Sequence, residues 1–173
     1  MSQLIRGPRL LWLCAGVVLG MVVSSFAPVK PLHAVATDRQ DTLAICTCEL
    51  NGGIEGVFTL DFLTGELRGT VLNATTRQFN LVYSANCAEH LKVEQGKTPK
   101  FVIVTGTSHI SARGPIQYAE SLIYVAELTS GNLAVYAIPY NTAWNQANAK
   151  PQTIPLEPLV VAPFRAASTG AGS

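Results

Sequence analysis

The sequence predicts a mainly β protein in which two repeated antiparallel four-stranded units follow an N-terminal transmembrane helix. Three observations carry this reading. Leu10–Ala27 is a run of eighteen residues without a charge. The rest of the chain is written in short runs rich in Val, Ile, Thr and aromatics, with turn residues every eight to twelve positions or so. One hairpin pattern occurs twice, at an offset of 66 residues.

Composition bounds the object before any motif is read. A chain of 173 residues supports one ordinary domain, and a charged fraction of only 13% argues against a helical bundle or a charge-rich disordered chain. The formal net charge of +1 excludes a strongly basic nucleic-acid binder, so no nucleic-acid partner is expected.

At a rise of about 1.5 Å per residue, Leu10–Ala27 as a helix reaches about 27 Å, close to the roughly 30 Å hydrocarbon core. Arg6 and Arg9 precede it, which keeps the N-terminus in the cytoplasm and places the remainder on the exported side of the cytoplasmic membrane. Two fates compete: an uncleaved signal anchor, and secretion after cleavage following Ala36. The small residues of Ala34-Val35-Ala36 suit a signal peptidase, but they lie well past an apolar run longer than most signal peptides carry. The anchor is therefore favoured, with residues 1–36 forming the span and a connector stiffened by Pro28 and Pro31. Cys14 is not a lipoprotein cysteine, because bulky Leu13 precedes it. Gly16 and Gly20 share one helix face and offer a route to self-association of the anchor.

Residues 37–165 form the exported all-β domain, and 166–173 a flexible tail. Beyond residue 36 nine basic side chains face eleven acidic ones. Strands are expected at Thr42–Glu49, Val57–Phe62, Phe79–Ser84, Phe101–Thr105 and Leu159–Phe164. Only Ala85–Val93 and Thr142–Lys150 look helical, at about two turns each. Pro151–Pro163 is expected to run extended along a sheet edge.

The repeat organises these elements. Val57-Phe58-Thr59-Leu60-Asp61-Phe62-Leu63-Thr64-Gly65-Glu66-Leu67 aligns without gaps on Ile123-Tyr124-Val125-Ala126-Glu127-Leu128-Thr129-Ser130-Gly131-Asn132-Leu133. In both, alternating apolar positions lead to an acid, a hydroxyl residue, a glycine and a leucine that opens the returning strand. The glycine supplies positive φ at the tip, and Asp61 or Glu127 is placed to accept backbone N–H bonds across the loop. Upstream, Ile45-Cys46-Thr47-Cys48 resembles Ile103-Val104-Thr105-Gly106 at an offset of 58. The units thus cover about 42–84 and 101–165.

Four-stranded meanders with this hairpin resemble the blades of β-propellers. Two blades cannot close a ring of about four to eight, so the resemblance implies propeller-blade-like or sandwich packing within one chain, or completion by further chains. Leu60-Asp61-Phe62-Leu63-Thr64-Gly65-Glu66-Leu67, preceded by Ala36-Thr37-Asp38-Arg39, is also similar to a family of small uncharacterised bacterial membrane-anchored proteins. That resemblance implies no catalytic activity.

The candidate chemistry is sparse. Cys46 and Cys48 point to one face of a strand, and a disulfide from Cys87 to one of them is the natural expectation in an oxidising space. Cys46, Cys48, Cys87 and His90 also make a Cys₃His set for zinc, though the narrow C-x-C spacing fits zinc modules poorly, and no metal or other cofactor is favoured. His33 sits in the connector, leaving His90 and His109 as candidate bases. No nucleophile elbow, phosphate loop or HExxH spacing accompanies them. Tyr140 and Trp144, set among Asn141, Asn145 and Asn148, are the candidate binding surface.

The functional expectation follows: a membrane-anchored extracytoplasmic interaction or scaffold module without catalytic activity, partnered by itself or by an envelope protein. The alternative is a small thiol-redox or hydrolytic envelope enzyme using Cys46, Cys48 and Cys87 with His90 or His109.

Overall fold

The computed structural model describes residues 7–26, 37–94, 96–108, 110–111 and 116–165, with the side chains of the first helix described over 12–22. His33, His109, the Ala34–Ala36 cleavage motif and the 166–173 tail lie outside them. The chain divides into two units at residues 33 and 34, each of which stands by itself.

The N-terminal unit is a single helix, α1 (Gly7–Phe26). Among the described residues no helix is long and apolar enough to cross a membrane. The span expected at Leu10–Ala27 is thus not shown, and that run extends beyond the described side chains at both ends. Gly16 and Gly20 leave open space around them, with nothing within 4 Å of a Cβ built at either.

The second unit is mainly β, as its alphabet predicts. In chain order come β1 (Thr37–Arg39), β2 (Leu43–Glu49), β3 (Glu55–Asp61), β4 (Glu66–Asn73), β5 (Gln78–Asn86), α2 (Cys87–His90), β6 (Phe101–Thr107), β7 (Tyr118–Glu127) and β8 (Asn132–Pro139). After a 3₁₀ turn at Thr142–Asn145 follow β9 (Gln152–Pro155) and β10 (Pro158–Pro163). They form two sheets, of order β1-β2-β3-β4-β5-β9 and β10-β8-β7-β6. All pairings are antiparallel except β5 with β9. A propeller is not shown.

The expected helices shrink. Of Ala85–Val93, the sheet takes Ala85 and Asn86, and Asn86 then caps the four-residue α2 by accepting from the Glu89 N–H at 3.2 Å. Thr142–Lys150 yields only the 3₁₀ turn, capped by Asn141. Neither segment is long enough to hold a helix against a competing sheet.

The repeat is geometric as well as sequential. Gly65 and Gly131 have φ of +71° and +72°, and each donates its N–H to the backbone carbonyl of the residue four positions earlier, Asp61 at 2.8 Å and Glu127 at 2.9 Å. The carbonyl of each glycine then receives the chain of the fourth strand's end, Cys87 N–H at 2.8 Å and Phe164 N–H at 2.9 Å. So β2-β3-β4-β5 and β6-β7-β8-β10 are the same four-stranded meander.

The two meanders turn opposite faces inward. In the first, Phe58, Leu60, Leu67 and Val71 are buried, while in the second the core is built from Ile123, Val125, Ala134 and Tyr136. By the 66-residue offset, these are equivalents of Val57, Thr59, Arg68 and Thr70, which lie on the outer side of the first sheet. Tyr124 and Ala126 are only half-buried for the same reason. Sheet packs on sheet face to back, with buried residues of both in one cluster. Phe62 meets Phe101 with ring centroids 6.2 Å apart, and the Thr105 hydroxyl donates to the Thr47 carbonyl at 2.8 Å.

Gly69 is part of this packing. A Cβ there would lie 2.1 Å from Cε1 of Phe58, so the ring of its β3 partner occupies the space a side chain would need.

The segment after the 3₁₀ turn straddles both sheets. β9 extends the first beside β5, Leu156 is buried and donates its N–H to the Ser84 carbonyl at 2.8 Å, and β10 completes the second. The extended Pro-rich edge is thus present, but the 101–165 unit lends a strand to its neighbour.

Candidate functional site

Cys46 and Cys48 do share one face of β2, and both are buried in the core. Register places Cys87 out of their reach. Cys46 lies opposite Phe58, Phe58 opposite Gly69 and Gly69 opposite Tyr83, so Cys46 is three strands from β5. At about 4.8 Å per strand that is roughly 14 Å, twice the Cα separation a disulfide spans. Cys87 lies beyond the end of β5. The expected disulfide from Cys87 to Cys46 or Cys48 is therefore corrected: all three are free thiols.

The same separation dissolves the Cys46, Cys48, Cys87 and His90 zinc set. Among the described residues no three His, Cys, Asp or Glu side chains converge as a metal site.

Burial also sets the thiols' chemistry. It pushes Cys46 up to about 12 and Cys87 up to about 11, the latter against an opposing hydrogen bond from Tyr136. Cys48 is raised further by burial and by its neighbours Cys46 and Glu55. A thiol held protonated and sealed from solvent is neither a nucleophile nor an exchange partner.

His90 is half-buried at the end of α2, where its Nδ1 lies 3.0 Å from the Tyr136 hydroxyl. That hydroxyl also meets Cys87, so the three side chains form a file from the surface into the core. His90 opens on a shallow cleft of about 590 Å³ that includes Glu66, Asn86, Glu89 and Glu157. Cys87 does not line it. A candidate base is present, but the thiol behind it has no path to a substrate.

The acids at the hairpin tips are structural. Asp61 accepts the N–H groups of Leu63 at 2.8 Å and Thr64 at 3.2 Å. Glu127 is fully buried and accepts from the N–H groups of Lys100 at 3.0 Å, Thr129 at 2.9 Å and Ser130 at 2.6 Å, and from the Thr129 hydroxyl. Burial alone would raise its carboxyl, but these donors outweigh it and hold it at about 2.

Of the two aromatics expected as a binding surface, Tyr140 is a core residue, 1% exposed, whose hydroxyl finds no hydrogen-bond partner among the described residues. The strand-end geometry explains the correction: its N–H is held by the Gln117 carbonyl at 3.0 Å, which turns the ring inward. Trp144 packs partly against the core and lines an apolar groove of about 430 Å³ with Ile116, Tyr118, Pro139, Ile154 and Leu159.

The largest feature without chemistry to explain it is the outer face of the second sheet. Register lines up Val104, Tyr124, Val135 and Val160 across its four strands, and beside them Val102, Ala126, Leu133 and Ala162. None carries a charge. Val104 is 47% exposed and Val160 51%. The sequence held a signal for this face. Phe101–Val104, Leu122–Ala126, Leu133–Ile138 and Leu159–Ala162 are apolar at almost every position, the pattern of strands covered on both faces. Comparison of the chain with family models, curated proteins and solved structures finds no match in any of the three. The class of molecule rests on its fold: a two-sheet, internally repeated β domain behind an N-terminal helix.

Proposed function

We propose that this chain is an extracytoplasmic interaction module without catalytic activity, held at the membrane by Leu10–Ala27. The observation that carries the reading is the uncharged outer face of the second sheet, an apolar surface for which the domain has no internal use. The side chains that enzymes use are engaged elsewhere: thiols in the core, His90 on Tyr136, and Asp61 and Glu127 in their turns. The anchor is supported by the charge-free run behind Arg6 and Arg9.

Crosslinking in intact cells followed by mass spectrometry tests it, together with protease accessibility of residues 37–165 from the exported side. Reproducible crosslinks around Val102 and Val104 are expected. A thiol-exchange or hydrolase activity lost on Cys87→Ser or His90→Gln would overturn the module reading in favour of an enzyme. A chain recovered from the cytoplasm without membrane association would overturn the localisation.

A further inference from the structure

The two meanders form a stack with unlike ends. The inner face of the first sheet, Cys46-Phe58-Gly69-Tyr83 and Ala44-Leu60-Leu67-Ala85, is register-equivalent to the outer face of the second, Val104-Tyr124-Val135-Val160 and Val102-Ala126-Leu133-Ala162. In the first sheet that face is covered by another sheet and every one of these residues is buried. In the second sheet the same face is left open.

The other end of the stack is different in kind. Across the outer side of the first sheet run Asp38, Ile45, Thr59, Arg68, Ser84 and Pro155, with Arg68 ion-paired to Glu66 at 2.8 Å. Where the second sheet buries Val125, Ala134 and Tyr136, the equivalent positions here are Thr59, Arg68 and Thr70. Ile45, Val57 and Val82 share this side, but it carries charges, Asp38 and Arg68, and hydroxyls, and the opposite end carries no charge.

We propose that two copies of this chain meet through the outer faces of their second sheets, giving a four-layered assembly whose two ends are both polar. The inference deepens the interaction-module reading by naming the partner, and rests on it. Joining the apolar end of one copy to the polar end of the next would bury Arg68 and Asp38 against uncharged residues and would not terminate. Apolar end on apolar end buries no charge and closes with two-fold symmetry, the commonest arrangement of soluble oligomers.

Addition along the β10 edge is opposed by Pro158 and Pro163, which bracket that strand and supply no N–H.

The test is sedimentation of the full-length chain in a density-matched detergent, with variants that leave the core untouched. Val104→Lys combined with Val160→Lys places two cations on the open face and is expected to raise the dimer dissociation constant at least about 100-fold, with circular dichroism unchanged. Ile45→Lys on the polar end is expected to change it less than about twofold. A wild-type chain that stays monomeric at about 10 μM overturns the proposal. So does a dimer that survives the double variant but is lost with Gly16→Ile and Gly20→Ile, which would place the contact in the helix, or one lost with Ile45→Lys, which would make the stacking head-to-tail. A photoreactive residue at Val104, used in intact cells, separates the two readings. Chain-to-chain crosslinks support the dimer. Crosslinks to a different envelope protein overturn self-association and leave the module, whereas no crosslink to any protein overturns both.

Discussion

Ile45 and Ile103 hold the same place in the two repeats and face opposite ways: Ile45 is 41% exposed on the outside of the first sheet, and Ile103, 2% exposed, is in the core. The pairing of their strands is alike, Ile45 opposite Thr59 and Ile103 opposite Val125. What differs is which side of the meander meets the other sheet.

Replacement by threonine should expose that difference. Ile103→Thr places a hydroxyl among apolar side chains and removes a methyl, at a cost of about 2 to 3 kcal/mol. Ile45→Thr is expected to stay within about 0.5 kcal/mol. Urea denaturation of the two variants measures the gap, and equal costs would contradict the face-to-back packing.

The hairpin glycines share a backbone conformation but not an environment. A Cβ at Gly65 would come within 2.5 Å of Ala88 Cβ and 2.9 Å of its nitrogen, whereas at Gly131 the nearest atoms are those of the flexible Arg165 side chain at 3.6 Å. Gly131→Ala should therefore cost only the positive-φ strain, about 1 kcal/mol, and Gly65→Ala at least about 1 kcal/mol more. Thermal melts of the pair rank them.

Glu127 makes stability depend on acid. Its carboxyl is held at about 2 in the folded chain, below the ordinary 4.5, so its contribution is fully present above pH 4.5 and is lost as the pH falls toward 2. Its share is on the order of 3 kcal/mol. Glu127→Gln removes the charge while leaving the N–H groups of Lys100, Thr129 and Ser130 to a weaker acceptor. Denaturation midpoints between pH 2 and 6 should fall steeply for the wild type and remain flatter for the variant.

The strand alphabet, the duplicated hairpin, its glycines and its acids were legible because they obey local rules of period and turn chemistry. The two-sided apolar strands of the second unit carry a further sign, of a face that expects cover, which the period-two expectation passes over. What a linear reading misses is which face that is. Period two places Tyr124 with Ala126 and Ile123 with Val125, but nothing local says which pair meets the other sheet. Tyr140 shows the same limit: flanking asparagines suggest a surface, while the bond from its own N–H to Gln117 turns it inward. The cysteine pairing failed for a related reason, since the number of strands between Cys46 and Cys87 is set by the meander and not by their separation in sequence.

The thiols offer a direct check on that correction. Under native conditions near pH 8, Cys46, Cys48 and Cys87 should resist alkylation, and after denaturation without reductant all three should be modified. A domain yielding only one thiol on denaturation would restore the disulfide.

The straddling segment gives the domain a particular order of completion. β9 is bound to β5 some seventy residues upstream, and β10 follows within three residues of its end. Neither sheet is whole until this segment is in place, so closure is a long-range event and slow by the standards of helical domains. Until residues 152–163 are paired, β5 and β8 each keep an open edge, so one short segment decides whether either sheet can stand without a neighbour's strand.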